Sequence, residues 1–318
     1  MITYDSVLYD FTQTLQGQIM QTGIALAPVP TTPPNRPPLL QVHQGMAESS
    51  GWFLVQAIEF EPEPLSVSRL RVRAIWSSER IVAATLDLMT SEQWLARCGD
   101  DYYLLPEGQR LKTLMQERTA RMLDRVQGAI QYTDVQRLES LLARIIAHAL
   151  ASAPLPGPWS LYYSQRRAPA ASSSPLHKIF HAFSDLNALR DDAHMAAWRP
   201  CGISAFAWEA FHFVHQEQAQ DAEALFAQLA YRGYTRQDYA GALRMLVERG
   251  WLHEDNRTFQ ATEQGRTIYA EVEARTDAYF YAPWNALGES DLDDLHRLLT
   301  ELDEELKAVQ NAAQPAQA

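Results

Sequence analysis

The stretch WLHEDNRTFQATEQG, residues 251–265, decides the fold. The cluster Glu254-Asp255-Asn256-Arg257 tolerates tight-turn backbone and predicts a short β-hairpin around it. Thr262 then predicts the N-cap of a following helix. A near-copy, WLARCGDDYYLLPEG, stands at 94–108, with its own turn at Cys98-Gly99-Asp100-Asp101 and with Pro106 at the first turn of the next helix. The two stretches lie 157 positions apart, and the same offset matches residues outside them without a gap. Arg118-Thr119 matches Arg275-Thr276, and Asp134, Leu138, Leu141 and Leu142 match Asp291, Leu295, Leu298 and Leu299. Upstream, Leu86 matches Leu243 and Gly45 matches Gly202.

Ahead of each hairpin the sequence predicts two helices joined by a turn. In the first copy, residues 65–95 give a short helix, a turn at Trp76-Ser77, and a second helix capped by Ser77 or Ser78, with Leu86 and Met89 continuing an apolar stripe. In the second, Thr235 is the cap, and Leu243, Met245 and Leu246 form the buried side. A last amphipathic helix closes each copy, DVQRLESLLARIIAHAL and DLDDLHRLLTELDEELKAV. Helix-turn-helix, hairpin and helix is the winged-helix plan. The expected fold is mainly α with small β-hairpins (α+β), two winged-helix repeats in tandem forming an intramolecular pseudo-dimer. The chain divides into a helical plus winged-helix unit at 1–150, a Pro/Ala/Ser-rich linker at 151–175, a second such unit at 176–308 and a disordered tail at 309–318. The proline-dense segment 25–38 cannot continue a helix.

Composition excludes several classes. The 318 residues carry 47% hydrophobic and 21% charged side chains, ordinary for a globular chain. No basic-then-apolar leader and no run of about 18 apolar residues occurs, so no membrane association is expected, and the cytoplasm is the expected location. Cys98 and Cys201 have neither metal-type nor disulfide-type spacing. No G-x-S-x-G elbow and no P-loop spacing is present, so no cofactor is expected, and an enzyme, which would use the helix at 177–194, is the least expected of three readings. The net charge is −12, which works against a non-specific grip on a phosphate backbone and requires any DNA contact to be local.

The second half also carries a resemblance. LRDDAHMAAWRPCGISAFAWEAF at 189–211, the Thr-x-x-Gly-Arg start at Thr262, the Glu-x-x-Thr-Asp motif of Glu273, Thr276 and Asp277, and the Pro-Trp-x-x-Leu-Gly ending at Pro283 are similar to segments of the SalK-like, MarR-like winged-helix proteins of actinobacteria and their relatives. The resemblance spans roughly 173–303. It implies a winged-helix fold and a role in regulating transcription.

In helix-turn-helix readers the second helix enters the major groove by its N-terminal part. The first copy offers Arg69, Arg71, Arg73, Ser78 and Arg80 there, and the second offers Arg236 and Gln237. Around 65–146 basic residues slightly outnumber acidic ones, whereas around 221–303 acids dominate, so the first copy is the better expected partner for double-stranded DNA. The alternative is a solvated helix face. Both wing tips are acidic, at Asp100-Asp101 and Glu254-Asp255.

The helix expected over 177–198 holds the densest polar set. His177, His181 and Asp185 fall at i, i+4 and i+8, a metal-compatible row whose ordinary reading is a solvated face, and Asp192 comes round to the same side. Arg190 and His194 fall instead on the apolar side with Ile179, Phe183 and Leu186. A buried guanidinium needs a carboxylate. Glu273, Asp277 and Glu209 are the candidates, and Asp277 is a position where the first copy has Ala120. The same residues could anchor a small-molecule effector among Trp198, Trp208 and Phe211. The expected functions are a DNA-binding regulator, acting as a monomeric pseudo-dimer or a homodimer, and, as alternative, a ligand-sensing or protein-interaction scaffold whose winged helices bind no DNA.

Overall fold

Trp251 and Gly265 meet at the base of a hairpin, as Trp94 and Gly108 do 157 residues earlier. A Cβ on Gly265 would lie 2.1 Å from the Trp251 carbonyl oxygen, and one on Gly108 would lie 2.3 Å from that of Trp94. Only glycine lets the helix start pass this close beneath the strand. Each hairpin is therefore pinned to the helix that follows it. The structure, a computed structural model, describes residues 7–27, 54, 56–131, 133–156 and 159–313. Gly45, the proline-dense stretch beyond Ala27 and residues 314–318 lie outside the described residues.

The first half contains α1 (Val7–Ala25), α2 (Val67–Arg73), α3 (Glu79–Ser91), β1 (Leu95–Cys98), β2 (Asp101–Leu104), α4 (Pro106–Ala129) and α5 (Val135–Ala151). After α6 (Ser160–Gln165) the second half gives α7 (Pro175–Trp198), α8 (Ala205–His215), α9 (Ala222–Leu229), α10 (Arg236–Glu248), β3 (Leu252–Asp255), β4 (Thr258–Ala261), α11 (Glu263–Tyr281) and α12 (Glu289–Ala313). The chain is mainly helical with two small antiparallel hairpins, an α+β arrangement. Among the described residues no helix is long and apolar enough to cross a membrane.

Local sequence accounts for these boundaries. Ser78 caps α3, accepting from the Ile81 N–H, and Ser77 does not. Thr235 caps α10 in a reciprocal box with Asp238, and Thr262 caps α11 through the Gly265 N–H. The hairpins pair Leu95 with Leu104 and Leu252 with Ala261. Gly99 takes a positive φ in the first turn, and Asn256 and Arg257 do so in the second. On α3, Leu86 and Met89 are buried, and on α10 Leu243 and Leu246 are, whereas Met245 is only partly covered.

The two halves are packed crosswise. α1 lies on α12 and α7 on α5, so the first long helix of each half rests on the last helix of the other. α5 buries Val135, Leu138, Leu141, Leu142, Ile145 and Ile146 in the resulting core, at about 1.5–3 kcal/mol for each fully buried large side chain. Arg137 and Arg144 reach Asp291 along the exposed rim, and Arg137 also reaches Asp294. Two smaller apolar clusters lie under the hairpins, one around Leu70, Val82 and Trp94, the other around Phe211, Leu243 and Trp251.

The segment expected as a linker is partly structured. α6 packs on α7, and Asp192 accepts the Ser160 and Leu161 backbone N–H groups at 2.7 and 2.9 Å, closing the N-terminus of that short helix. Residues 309–313 of the expected disordered tail are helical, because α12 runs to Ala313.

Candidate functional site

The recognition-helix positions of the two halves differ in what they leave exposed. In the first half three of the four expected arginines, Arg69, Arg71 and Arg73, are paired with acids. Arg69 pairs with Asp101 at 2.9 Å and with Glu63 at 3.4 Å, and Arg71 pairs with Glu79 at 2.7 Å. Arg73 and Arg167 both donate to Glu59, which is fully buried. Ser78 is buried, and Arg80 donates to the Gly233 carbonyl oxygen. These arginines form neither a free basic strip nor a simple solvated face, because acids of helix 56–60 and of the wing lie within reach.

In the second half Thr235, Arg236, Gln237 and Asp238 are exposed at the start of α10. Arg236 pairs with Glu223, both more than half exposed, and Arg244 is exposed two turns further on. Arg236 is thus paired much as Arg71 is in the first half, and Arg244 is the exposed arginine that α10 adds.

The turn ahead of α3 touches the turn ahead of α10. The Ser78 N–H donates to the Arg232 carbonyl at 2.8 Å, and Ser78 Oγ donates to the Gly233 carbonyl at 3.0 Å. Gly233 has φ +79°, and a Cβ there would lie 2.5 Å from Ile81 Cβ and Ser78 Oγ. Position 233 is position 76 plus the repeat offset of 157, so equivalent turns face each other. Trp76, the first-half counterpart of Gly233, inserts beside Trp198 and His194, ring centroids 5.9 and 6.1 Å away.

Behind this contact lies a pocket of about 230 Å³ lined by Trp76, His194, Trp208, Glu209, His212 and Phe213. Glu209 does not pair with Arg190. It accepts from Arg232 at 2.8 Å, its second oxygen is buried without a partner, and burial raises its pKa. The His212 Nδ1 lies 2.8 Å from the Tyr269 hydroxyl, and burial lowers the pKa of this imidazole.

Arg190 sits outside that pocket. It pairs with Asp277 and lies 3.7 Å from Glu273, its guanidinium over the rings of Tyr9 and Phe280 at 5.3 and 5.4 Å. The pair therefore joins α7, α11 and α1. His194 heads a separate chain of bonds. Trp208 Nε1–H can only donate, and it does so to His194 Nε2 at 2.9 Å, which leaves the ring proton on Nδ1 facing Thr276 Oγ1 at 3.2 Å. Thr276 in turn donates to the Val272 carbonyl. Burial beside Arg190 pushes the imidazole down to about 4.

The row His177, His181 and Asp185 does not form a solvated face. His181 is 8% and Asp185 2% exposed, and His177 is half-buried. α6, Arg167 and the first half cover this side of α7. Asp185 accepts from Gln165 at 2.6 Å and lies 3.4 Å from His181. Burial pushes Asp185 up to about 7 and His181 down to about 3. Among the described residues no group of three or more His, Cys, Asp or Glu is placed to hold a metal.

Sequence reasoning did not single out Trp76, Gly233, Arg232 or Arg244 as functional positions. The available signal was the repeat itself: Trp76 against Gly233 and Asp87 against Arg244 are among the positions at which the copies exchange character.

No curated protein and no solved structure matches the chain. Residues 158–313 match the family model described as a helix-turn-helix family, and this part of the chain carries a helix-turn-helix domain.

Proposed function

We propose that the chain is a MarR-like winged-helix regulator of transcription that binds double-stranded DNA, its units at 1–150 and 176–308 forming a pseudo-dimer within one chain. The observation that carries this reading is the outer face of α10, where Arg236 (paired with Glu223), Gln237 and Arg244 stand exposed on a helix-turn-helix domain. Arg and Gln are the side chains that read guanine and adenine edges bidentately. The crosswise packing of α1 on α12 and α7 on α5 supports the pseudo-dimer, since each unit completes the other's core.

The test is a titration of the purified chain against duplex DNA over a range of salt concentrations. A regulator of this kind gives an affinity that falls as salt rises, because bound cations leave the phosphates. Absence of any salt-dependent affinity ends this reading.

The pocket between the halves favours a second reading, that of a ligand-sensing scaffold. A cavity of about 150 Å³ accommodates benzene, so about 230 Å³ beside Trp76 and Trp208 has room for a single-ring compound. Such an effector touches both halves at once. Ligand-induced thermal stabilisation that persists in Arg236→Ala, without measurable DNA affinity in the wild type, would favour this scaffold over the regulator.

A further inference from the structure

We propose that the molecule reads DNA with α10 alone, as one asymmetric site, and that the first half holds α10 in place without reading bases. The inference rests on the DNA-binding reading above and adds the form of the partner to it.

Two of the equivalent positions of α10 and α3 carry opposite charge, Arg236 against Glu79 and Arg244 against Asp87. Where α10 has Arg236, Gln237, Gly241 and Arg244, α3 has Glu79, Arg80, Ala84 and Asp87. Glu79 accepts from Arg71, and Asp87 accepts from the Tyr102 hydroxyl at 3.2 Å and lies 3.5 Å from Arg97. A groove entered by α3 would meet both carboxylates, which phosphates repel. Arg80, the one cation within α3, donates to the Gly233 carbonyl and braces the contact between the halves.

On α10 the residues Gln237, Gly241 and Arg244 follow one another at i, i+4 and i+7, on one face. Tyr239, Ala242, Leu243 and Leu246 occupy the opposite, buried side. A Cβ at Gly241 would meet nothing within 4 Å, so the backbone between Gln237 and Arg244 is open to close approach. Asp238 is turned into the cap of its own helix, accepting from Thr235 at 2.7 Å. The Arg236–Glu223 pair is exposed and is readily exchanged for a phosphate.

Geometry gives the same answer independently. Twofold readers place their recognition helices about 34 Å apart, one turn of duplex. Here Ser78, the cap of α3, donates to the Arg232 carbonyl three residues before Thr235, the cap of α10, at 2.8 Å. Two helices whose starts abut cannot enter successive major grooves of one duplex. The repeat is twofold, but the reading is single.

The test is selection of binding sites from a random duplex library with the full chain, followed by titration of variants on the selected site. The expected motif is non-palindromic and a few base pairs long. Gln237→Ala and Arg244→Ala each lower affinity at least about fivefold, and Arg236→Ala lowers the salt slope by about one. Glu79→Ala and Asp87→Ala leave affinity within about twofold. Unchanged thermal melts show that the exposed α10 variants remain folded. A palindromic motif with arms about 10 base pairs apart overturns the inference and leaves the DNA-binding reading standing. Equal losses from the α3 variants also overturn it. No selected site and no affinity overturns both.

Discussion

Two glycines set a limit that the remaining side chains work within. Gly265 and Gly108 sit directly under backbone oxygen, so a methyl group cannot be accommodated by a rotamer change. Gly265→Ala should destabilise the chain by about 1–3 kcal/mol, read as a drop of several degrees in Tm, whereas Gly241→Ala on open surface should not. Arg190→Ala strands Glu273, whose pKa burial already raises, beside Asp277. Because both carboxylates are about a third exposed, the loss should be nearer 1–3 kcal/mol than the 3–5 kcal/mol of a fully buried pair, as denaturant titration would show. His194 titrates at about 4 in the folded chain against an ordinary 6.5, so the folded state binds fewer protons between those values. The stability it contributes is complete above about pH 6.5 and is lost as the pH falls toward 4. His194→Gln keeps an acceptor for Trp208 and removes the titration, so its Tm should fall less than the wild type's between pH 7 and pH 4.5. At this scale the sequence was most informative where the interaction is local: Thr235 and Thr262 bond to backbone three residues away. Asp185 and His181 were misjudged because what covers them comes from α6 and the first half, which no periodicity within α7 can register.

At the level of elements, the hairpins and the helices around them were legible because turn residues, caps and apolar spacing repeat at one offset. Met89 and Leu246 are buried for the reason their spacing suggests. The arginines on α2 and α3 were not legible as paired residues, because Glu59, Glu63 and Asp101 lie on neighbouring segments and net charge cannot show who neutralises whom. The contact between the two turns was also hidden, since only the spatial arrangement brings Gly233 onto Ser78. That contact can be probed directly. Gly233→Ala combines a positive φ with a Cβ 2.5 Å from Ile81 and Ser78, so it should force the turns apart. Amide exchange in a peptide covering 74–82 should quicken, since the Ser78 N–H loses its acceptor, while exchange within α5 stays slow. Unchanged exchange at Ser78 would show that the turns are not locked through this glycine.

Taken as a whole, the chain has two halves that packing has joined through one core. The shared core of α1, α4, α5, α7 and α12 runs through both halves. Calorimetry should therefore record one unfolding transition with matching calorimetric and van't Hoff enthalpies, and two resolved transitions would mean that the halves melt separately. The crosswise packing also has a consequence for synthesis. Leu15 and Ile19 of α1 find their place in a core closed by Leu302 and Leu306, nearly 300 residues later. At roughly 5–20 residues per second a ribosome needs about 15–60 s to cover that distance. For that interval the early helix has only part of its native cover, and the nascent chain is exposed to capture by chaperones until its last long helix emerges.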